Sequence, residues 1–153
     1  MKKYLFVSTF FVFALFFAES VSAQTVSGSI NGSAKRGQTV RGTIVLDIPR
    51  GLHVNSYRPK SEYAIPTRVT VSASGATANG VTYPPGKMRR FEFSDEPISV
   101  YEGRAVFGFK LTVPKGYRGN SVIVKASVRY QACTDEVCYA PKTKTINIRA
   151  SVR

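Results

Sequence analysis

The chain has 153 residues, 22 Lys and Arg against 9 Asp and Glu, and a formal charge of +13. That length suits one domain with a sizeable core that folds without needing disulfides. With one histidine and two cysteines, Cys133, Cys138 and His53 would supply only three metal ligands, and no second paired motif joins them, so no metal site is expected. No Gly-rich loop between a strand and a helix supports a nucleotide or other cofactor site.

Taken in order, the chain opens with Lys2-Lys3, an apolar run from Tyr4 to Ala18 broken only by Ser8 and Thr9, and Glu19-Ser20-Val21-Ser22-Ala23. This reads as a secretory signal peptide, residues 1–23, cut after Ala23. The run is shorter than the roughly 20 residues a membrane-spanning helix needs. Residues 24–153 are then expected to form one exported domain. Loss of Lys2, Lys3 and Glu19 removes two positive charges and one negative, taking +13 to +12.

Within that domain helical periodicity is nearly absent, and period-two alternation recurs. Val26 and Ile30 suggest a first strand, weakened by Gly28 between them, and Asn31-Gly32-Ser33 turns. Val40 to Ile48 alternates, with Ile44, Leu46 and Ile48 on one face. Leu52-His53-Val54-Asn55 is a short strand or bend, and Pro59 interrupts any pattern beyond it. Ser61 to Pro66 reads as an irregular crossing segment. Thr67 to Ala73 is a strand with Val69, Val71 and Ala73 inward, and Tyr83-Pro84-Pro85-Gly86 breaks the chain. Met88 to Phe93 predicts a strand with Phe91 and Phe93 on one face, Ser94-Asp95-Glu96-Pro97 a loop, and Ile98 to Tyr101 a strand.

The clearest strand is Arg104 to Val113, with Phe107, Phe109, Leu111 and Val113 on one side. Ser121 to Gln131 comes next, with Val122, Val124, Ala126, Val128 and Tyr130 inward. Thr143 to Ala150 returns with Ile146, Ile148 and Ala150 inward. Seven or eight short strands with one buried face each predict an all-β, two-sheet antiparallel sandwich. Most cationic residues, Arg36, Arg68, Lys125 and Arg149 among them, fall singly among apolar or small residues, as on the wet face of strands. Lys87-Met88-Arg89-Arg90 is the one cluster. Export argues against a nucleic-acid partner.

A hydrolytic triad needs a histidine placed by a third group, and His53, alone after Gly51, reads as a packing or surface residue. The chemistry left is that of Cys133 and Cys138, which have four residues between them in Tyr130-Gln131-Ala132-Cys133-Thr134-Asp135-Glu136-Val137-Cys138-Tyr139-Ala140-Pro141. Two strands meeting across a tight loop bring Cα atoms into the range a disulfide needs, about 5.5–6 Å. A loop so short gives a structural bridge only about 2 kcal/mol on the chain-entropy model. Such a bridge can open and close without unfolding the domain, as a carrier of two electrons requires. Asp135 and Glu136 disfavour a thiolate, and no helix N-terminus favours one, so a thiol of ordinary or raised pKa is expected. The alternative is a non-catalytic β-sandwich binding module with a structural disulfide. A basic adhesin or polyanion binder is a third reading.

Val128-Arg129-Tyr130-Gln131-Ala132-Cys133, then Cys138-Tyr139-Ala140-Pro141 and Thr143-Lys144-Thr145, resembles the cysteine hairpin of the N-terminal periplasmic domain of the thiol:disulfide interchange protein DsbD. Gly51-Leu52-His53-Val54-Asn55, Tyr83-Pro84-Pro85-Gly86 and Val100-Tyr101-Glu102-Gly103 are similar to segments in like order there. The resemblance implies an immunoglobulin-like sandwich acting as a protein-disulfide reductase component in the periplasm. Its electrons would come from a membrane thiol transporter (DsbD/CcdA-like) and pass to periplasmic thioredoxin-like proteins, with cytochrome c biogenesis among the outlets. Cys133 and Cys138 would be the redox pair, Cys138 the sulfur that links to partners, and the domain a monomer. An aromatic cap shields the pair in the family. Phe93 is the candidate here and Phe91 the alternative, with Tyr101, Tyr130 and Tyr139 lining the site. The cysteines stand one residue closer than in the best-known member, and Ala140-Pro141 replaces a common Pro-Pro. The chain reaches Arg153 without transmembrane or thioredoxin-like domains, so donor and acceptor are expected to be separate proteins.

Overall fold

A computed structural model describes residues 23–153; the signal-peptide expectation lies almost wholly outside these residues. They contain strands, turns and bends and no helix. Eleven strands form: β1 (Thr25–Ile30), β2 (Thr39–Asp47), β3 (His53–Asn55), β4 (Arg68–Ala73), β5 (Thr77–Thr82), β6 (Lys87–Phe91), β7 (Ser94–Tyr101), β8 (Arg104–Thr112), β9 (Ser121–Tyr130), β10 (Ala132–Cys133) and β11 (Lys142–Ser151).

The strands make three sheets, ordered β1-β2-β8-β5, β11-β9-β4 and β10-β3-β7-β6. Every strand pairing is antiparallel. The first two sheets are the layers of the two-sheet sandwich that the alternation predicts, immunoglobulin-like as the resemblance implies. Their inner faces supply one core, in which Ile44 and Leu46 of β2, Phe107 and Leu111 of β8, and Val122, Val124 and Val128 of β9 are fully buried. Residues alternate because successive strand side chains leave opposite faces: β9 reads buried at every second position from Val122 to Tyr130, with Lys125 and Arg129 exposed between. Gly28 has a packing reason. β1 crosses so close to β11 that a Cβ at this position would overlap the Ile148 side chain.

Two elements differ from expectation. β5 is a strand where the sequence shows no alternation. Its register against β8 shifts between Asn79 and Thr82, and Gly80 takes φ 64°, a bulge that breaks the period-two signal. Ser94 to Pro97, expected as a loop, instead begins β7. Phe91 pairs with Ser94, so the β6–β7 hairpin turns on Glu92 and Phe93 alone, and the register slips before Arg89 meets Ile98. Pro97 is accommodated in that irregular stretch, where no ladder donor is required of it. The strand expected to reach Phe93 therefore stops at Phe91.

The third sheet is a platform at one end of the sandwich. β9 runs out of the large core through Gln131 into β10, which pairs with β3, and β3 pairs with β7. The cysteine hairpin is thus an outgrowth of the longest strand pair, β9 and β11, whose register is unbroken from Lys142 opposite Tyr130 to Ser151 opposite Ser121.

Candidate functional site: an asymmetric disulfide beside an aromatic turn

Cys133 and Cys138 are joined in a disulfide, with Cα atoms 4.0 Å apart. This is closer than the general disulfide range and is a consequence of the hairpin. The Tyr139 N–H donates to the Ala132 carbonyl (2.9 Å) and the Thr134 N–H to the Val137 carbonyl (2.8 Å). The cysteines face each other between these bonds, the narrow position of an antiparallel ladder, where Cα atoms approach to about 4.5 Å. Thr134 shapes the tip: its hydroxyl oxygen accepts from the N–H groups of Glu136 (3.2 Å) and Val137 (3.0 Å). Asp135 and Glu136 are left as the exposed turn residues.

The two halves of the bridge are unequal. Cys133 is sealed, with 0% of its surface exposed: it sits on β10, which pairs with β3 and places Cys133 opposite His53. Cys138 lies on the outer side of the hairpin and is exposed. Tyr139, Val137 and Phe93, all about half exposed, are the large apolar side chains on the neighbouring surface, together with the fully exposed Tyr63.

Phe93 sits in the β6–β7 turn and shares with Cys138 a groove of about 200 Å³ that also includes Tyr63, Ala64, Ile98 and Gln131. Behind it three rings stack. The Phe91 ring lies 5.1 Å from Phe93, nearly parallel, and 4.4 Å from the His53 imidazole. Phe91 is buried and anchors a small cluster with Ile98 and Val100. Such stacks contribute about 0.5–1.5 kcal/mol beyond burial. Phe91 is thus the base of the turn, and Phe93 lines the groove that holds Cys138.

The three tyrosines are placed differently. Tyr139 comes directly after Cys138 at the rim. Tyr130 is fully buried, its hydroxyl 3.5 Å from Gln24 Oε1, and it borders a second, mostly apolar pocket with Tyr139 and Leu52. Tyr101 is buried beside Phe107. Its hydroxyl donates to the Pro84 carbonyl (3.1 Å) and accepts from the Tyr57 N–H (3.3 Å). Burial raises the pKa of both Tyr101 and Tyr130. Tyr101 is brought to the corner holding Pro84, not to the sulfurs.

Further residues that the sequence did not assign to the site surround the hairpin. Gln131 ties the hairpin to the crossing segment: its Oε1 accepts from the Ile65 N–H (3.3 Å) and Asn55 Nδ2 (3.2 Å), and its Nε2 donates to the Tyr139 carbonyl (3.2 Å). Its outward position on the β9 continuation points to a polar residue, not to these partners. On the far side of the hairpin a cleft of about 500 Å³ is lined by His53, Arg50, Arg89, Glu102 and Asp135 among others. Arg89 pairs with Glu102 and reaches to 4.0 Å from Asp135. These partly exposed pairs are weak. Burial lowers the pKa of His53 below its ordinary 6.5, with Asp135 and Glu102 pulling the other way.

The family described as "Thiol:disulfide interchange protein DsbD, N-terminal" matches residues 22–150. No curated protein matches the chain. Among solved structures, the N-terminal periplasmic domain of ScsB from Proteus mirabilis superposes with a TM-score of 0.51 at 13% identity, covering 81% of this chain and 45% of that one. The chain therefore spans a little under half the length of that structure, and the likeness shows the fold. A family 123 glycoside hydrolase from Clostridium perfringens also aligns, at a TM-score of 0.35 and 13% identity over 84% of this chain and 27% of that one, too distant to carry any argument. With the family match over most of its length, the antiparallel sandwich and a cysteine hairpin at one end, the chain belongs to the family of DsbD N-terminal domains.

Proposed function

We propose that the domain works in the periplasm as a relay, taking two electrons from a membrane thiol transporter and handing them to thioredoxin-like proteins through Cys133 and Cys138. The observation that carries this reading is the inequality of the disulfide: one sulfur-bearing residue sealed, the other exposed in a groove beside an aromatic turn. Exchange proceeds by thiolate attack in line with the S–S bond, and only Cys138 offers that approach. A donor thiolate attacks Cys138 Sγ, the S–S bond breaks, and Cys133 leaves with the electron pair and takes up a proton. The donor's second thiol then attacks the mixed disulfide. The donor leaves oxidised and this domain holds two thiols. Delivery to an acceptor disulfide is the same sequence reversed, with Cys138 attacking.

The test is trapping. Cys133→Ala leaves Cys138 free and should accumulate mixed disulfides with both a membrane thiol transporter and thioredoxin-like proteins in the cell envelope. Cys138→Ala should give few. Equal trapping by both variants, or none by either, would overturn the proposal. A reduction potential well below about −300 mV would instead mark a static structural bridge.

A further inference from the structure

His53 and Cys133 are directly opposed residues of β3 and β10. Their side chains therefore leave the same face of the small sheet, with Cβ atoms about 4.5–5.5 Å apart in such pairs. Both residues are buried, His53 with 3% of its surface exposed and Cys133 with none. The imidazole lies flat on Phe91 at 4.4 Å and forms part of the wall of the polar cleft that holds Arg89, Glu102 and Asp135. His53 is thus the cross-strand neighbour of the sealed cysteine and at the same time lines a water-accessible cleft.

Exchange makes a demand at that sulfur. When an external thiolate takes Cys138 Sγ, the electron pair of the S–S bond goes to Cys133. A thiolate there would be a buried anion, which low-dielectric surroundings disfavour. It needs a proton as it forms. In the closing direction the Cys133 thiol must lose its proton before it can attack the mixed disulfide at Cys138.

We propose that His53 carries this proton: as imidazolium, charged from water in the cleft, it donates to Cys133 Sγ while the disulfide opens, and as neutral imidazole it takes the proton back while Cys133 closes the bridge. The opening step balances as attacking thiolate, disulfide and one proton giving a mixed disulfide and the Cys133 thiol. The proton comes from solvent, and no other reactant is consumed. The inference rests on the interchange reading above and assigns a general acid–base to it.

The charged groups around the ring come from several elements. Asp135 of the cysteine loop and Glu102 after β7 favour the imidazolium, while Arg89 of β6 and burial, the largest influence, oppose it. Arg50, after β2, lines the same cleft. The balance holds the pKa of the ring below its ordinary 6.5, so near pH 7 it is neutral, the form that accepts a proton from Cys133.

The experiment is stopped-flow opening of the oxidised domain by dithiothreitol across the range around neutral pH, with the rate divided by the fraction of dithiothreitol present as thiolate. In the natural chain this thiolate-specific rate should fall as pH rises through the pKa of His53. In His53→Gln it should be flat and at least about tenfold lower at acid pH, since a positioned general acid typically contributes about 100-fold or more. A flat profile in the natural chain, or a His53→Gln profile superimposable on it, would overturn the proposal. Because His53 is the one histidine in the chain, its NMR signals give a second readout that needs no folded His53 variant. In the reduced natural chain the imidazole should show an added titration step at the pKa of the Cys133 thiol, missing in the oxidised chain and in Cys133→Ala. Absence of that step would equally overturn it. A disulfide that dithiothreitol cannot open at any pH would defeat the interchange reading itself, a distinct failure.

Discussion

Phe91 and Phe93 are separated by one residue, and the hairpin gives them opposite energetic roles. Phe91 is buried against His53, Ile98 and Val100, whereas Phe93 is 46% exposed at the turn. Phe91→Ala should therefore cost about 3–5 kcal/mol in denaturant unfolding. Phe93→Ala should cost under about 1 kcal/mol while raising the alkylation rate of Cys138 in the reduced domain several-fold. An unchanged alkylation rate would mean that Phe93 does not shield the sulfur. His53 sets a pH dependence of stability. Burial holds its folded-state pKa below 6.5, so the unfolded chain binds the proton more readily. Its contribution is complete above the unfolded value and is lost as pH falls from there through the folded value. The melting temperature should fall as the pH drops below about 6.5, and His53→Gln should remove that part of the fall. An equal fall in the variant would assign the effect to other groups.

At the scale of elements, the cysteine hairpin is held by more than its disulfide. The bridge closes a very short loop, between residues five apart, so its removal in the Cys133→Ala, Cys138→Ala double variant should cost only about 2 kcal/mol and leave a folded domain. Gln131 locks the hairpin to β3 and to the crossing segment through three hydrogen bonds. Gln131→Leu should cost about 1–3 kcal/mol, since partners of a lost hydrogen bond are left unsatisfied. Measured by urea unfolding, a Gln131→Leu cost near zero would show that water replaces these partners. The β6–β7 turn has less fastening of this kind: Phe93 is held mainly by its stack on Phe91.

The described residues form a sandwich body and, at one end, the platform that carries the cysteine hairpin. The body core is built from β2, β8, β9 and β11 with β1, β4 and β5, and Val54, Tyr101 and Ala132 of the platform pack into it, while Phe91, Ile98 and Val100 of the platform form a separate small cluster. Only β10 and Gln131 join the cysteines to β9. Opening the disulfide should therefore be felt locally. Hydrogen exchange compared between oxidised and reduced forms should change in residues 131–139 and in the turn around Phe93, and stay slow and equal in β8 and β9. Loss of protection throughout β8 on reduction would show that the bridge is a global staple instead.

The sequence by itself determined most of the sandwich, because strand side chains alternate with a period of two and each residue's face is fixed locally. Ile44, Leu46, Phe107, Phe109, Val124 and Val128 could be assigned inward without knowing what they meet. The cysteine hairpin was legible for a related reason: its partners are near neighbours in the chain. The alternation could not show β5, whose bulge at Gly80 breaks it, nor the start of β7 at Ser94, since a proline there reads as a breaker until the register slip is seen. What only the tertiary structure decided is the surroundings of the sulfurs. His53 is 80 positions before Cys133 in the numbering, and its neighbours in the chain suggest only a packing or surface residue. β3 pairs with β10 only because the sandwich brings their ends together. The inequality of Cys133 and Cys138 has the same origin: burial is set by which strand lies underneath, a long-range contact that no local pattern encodes.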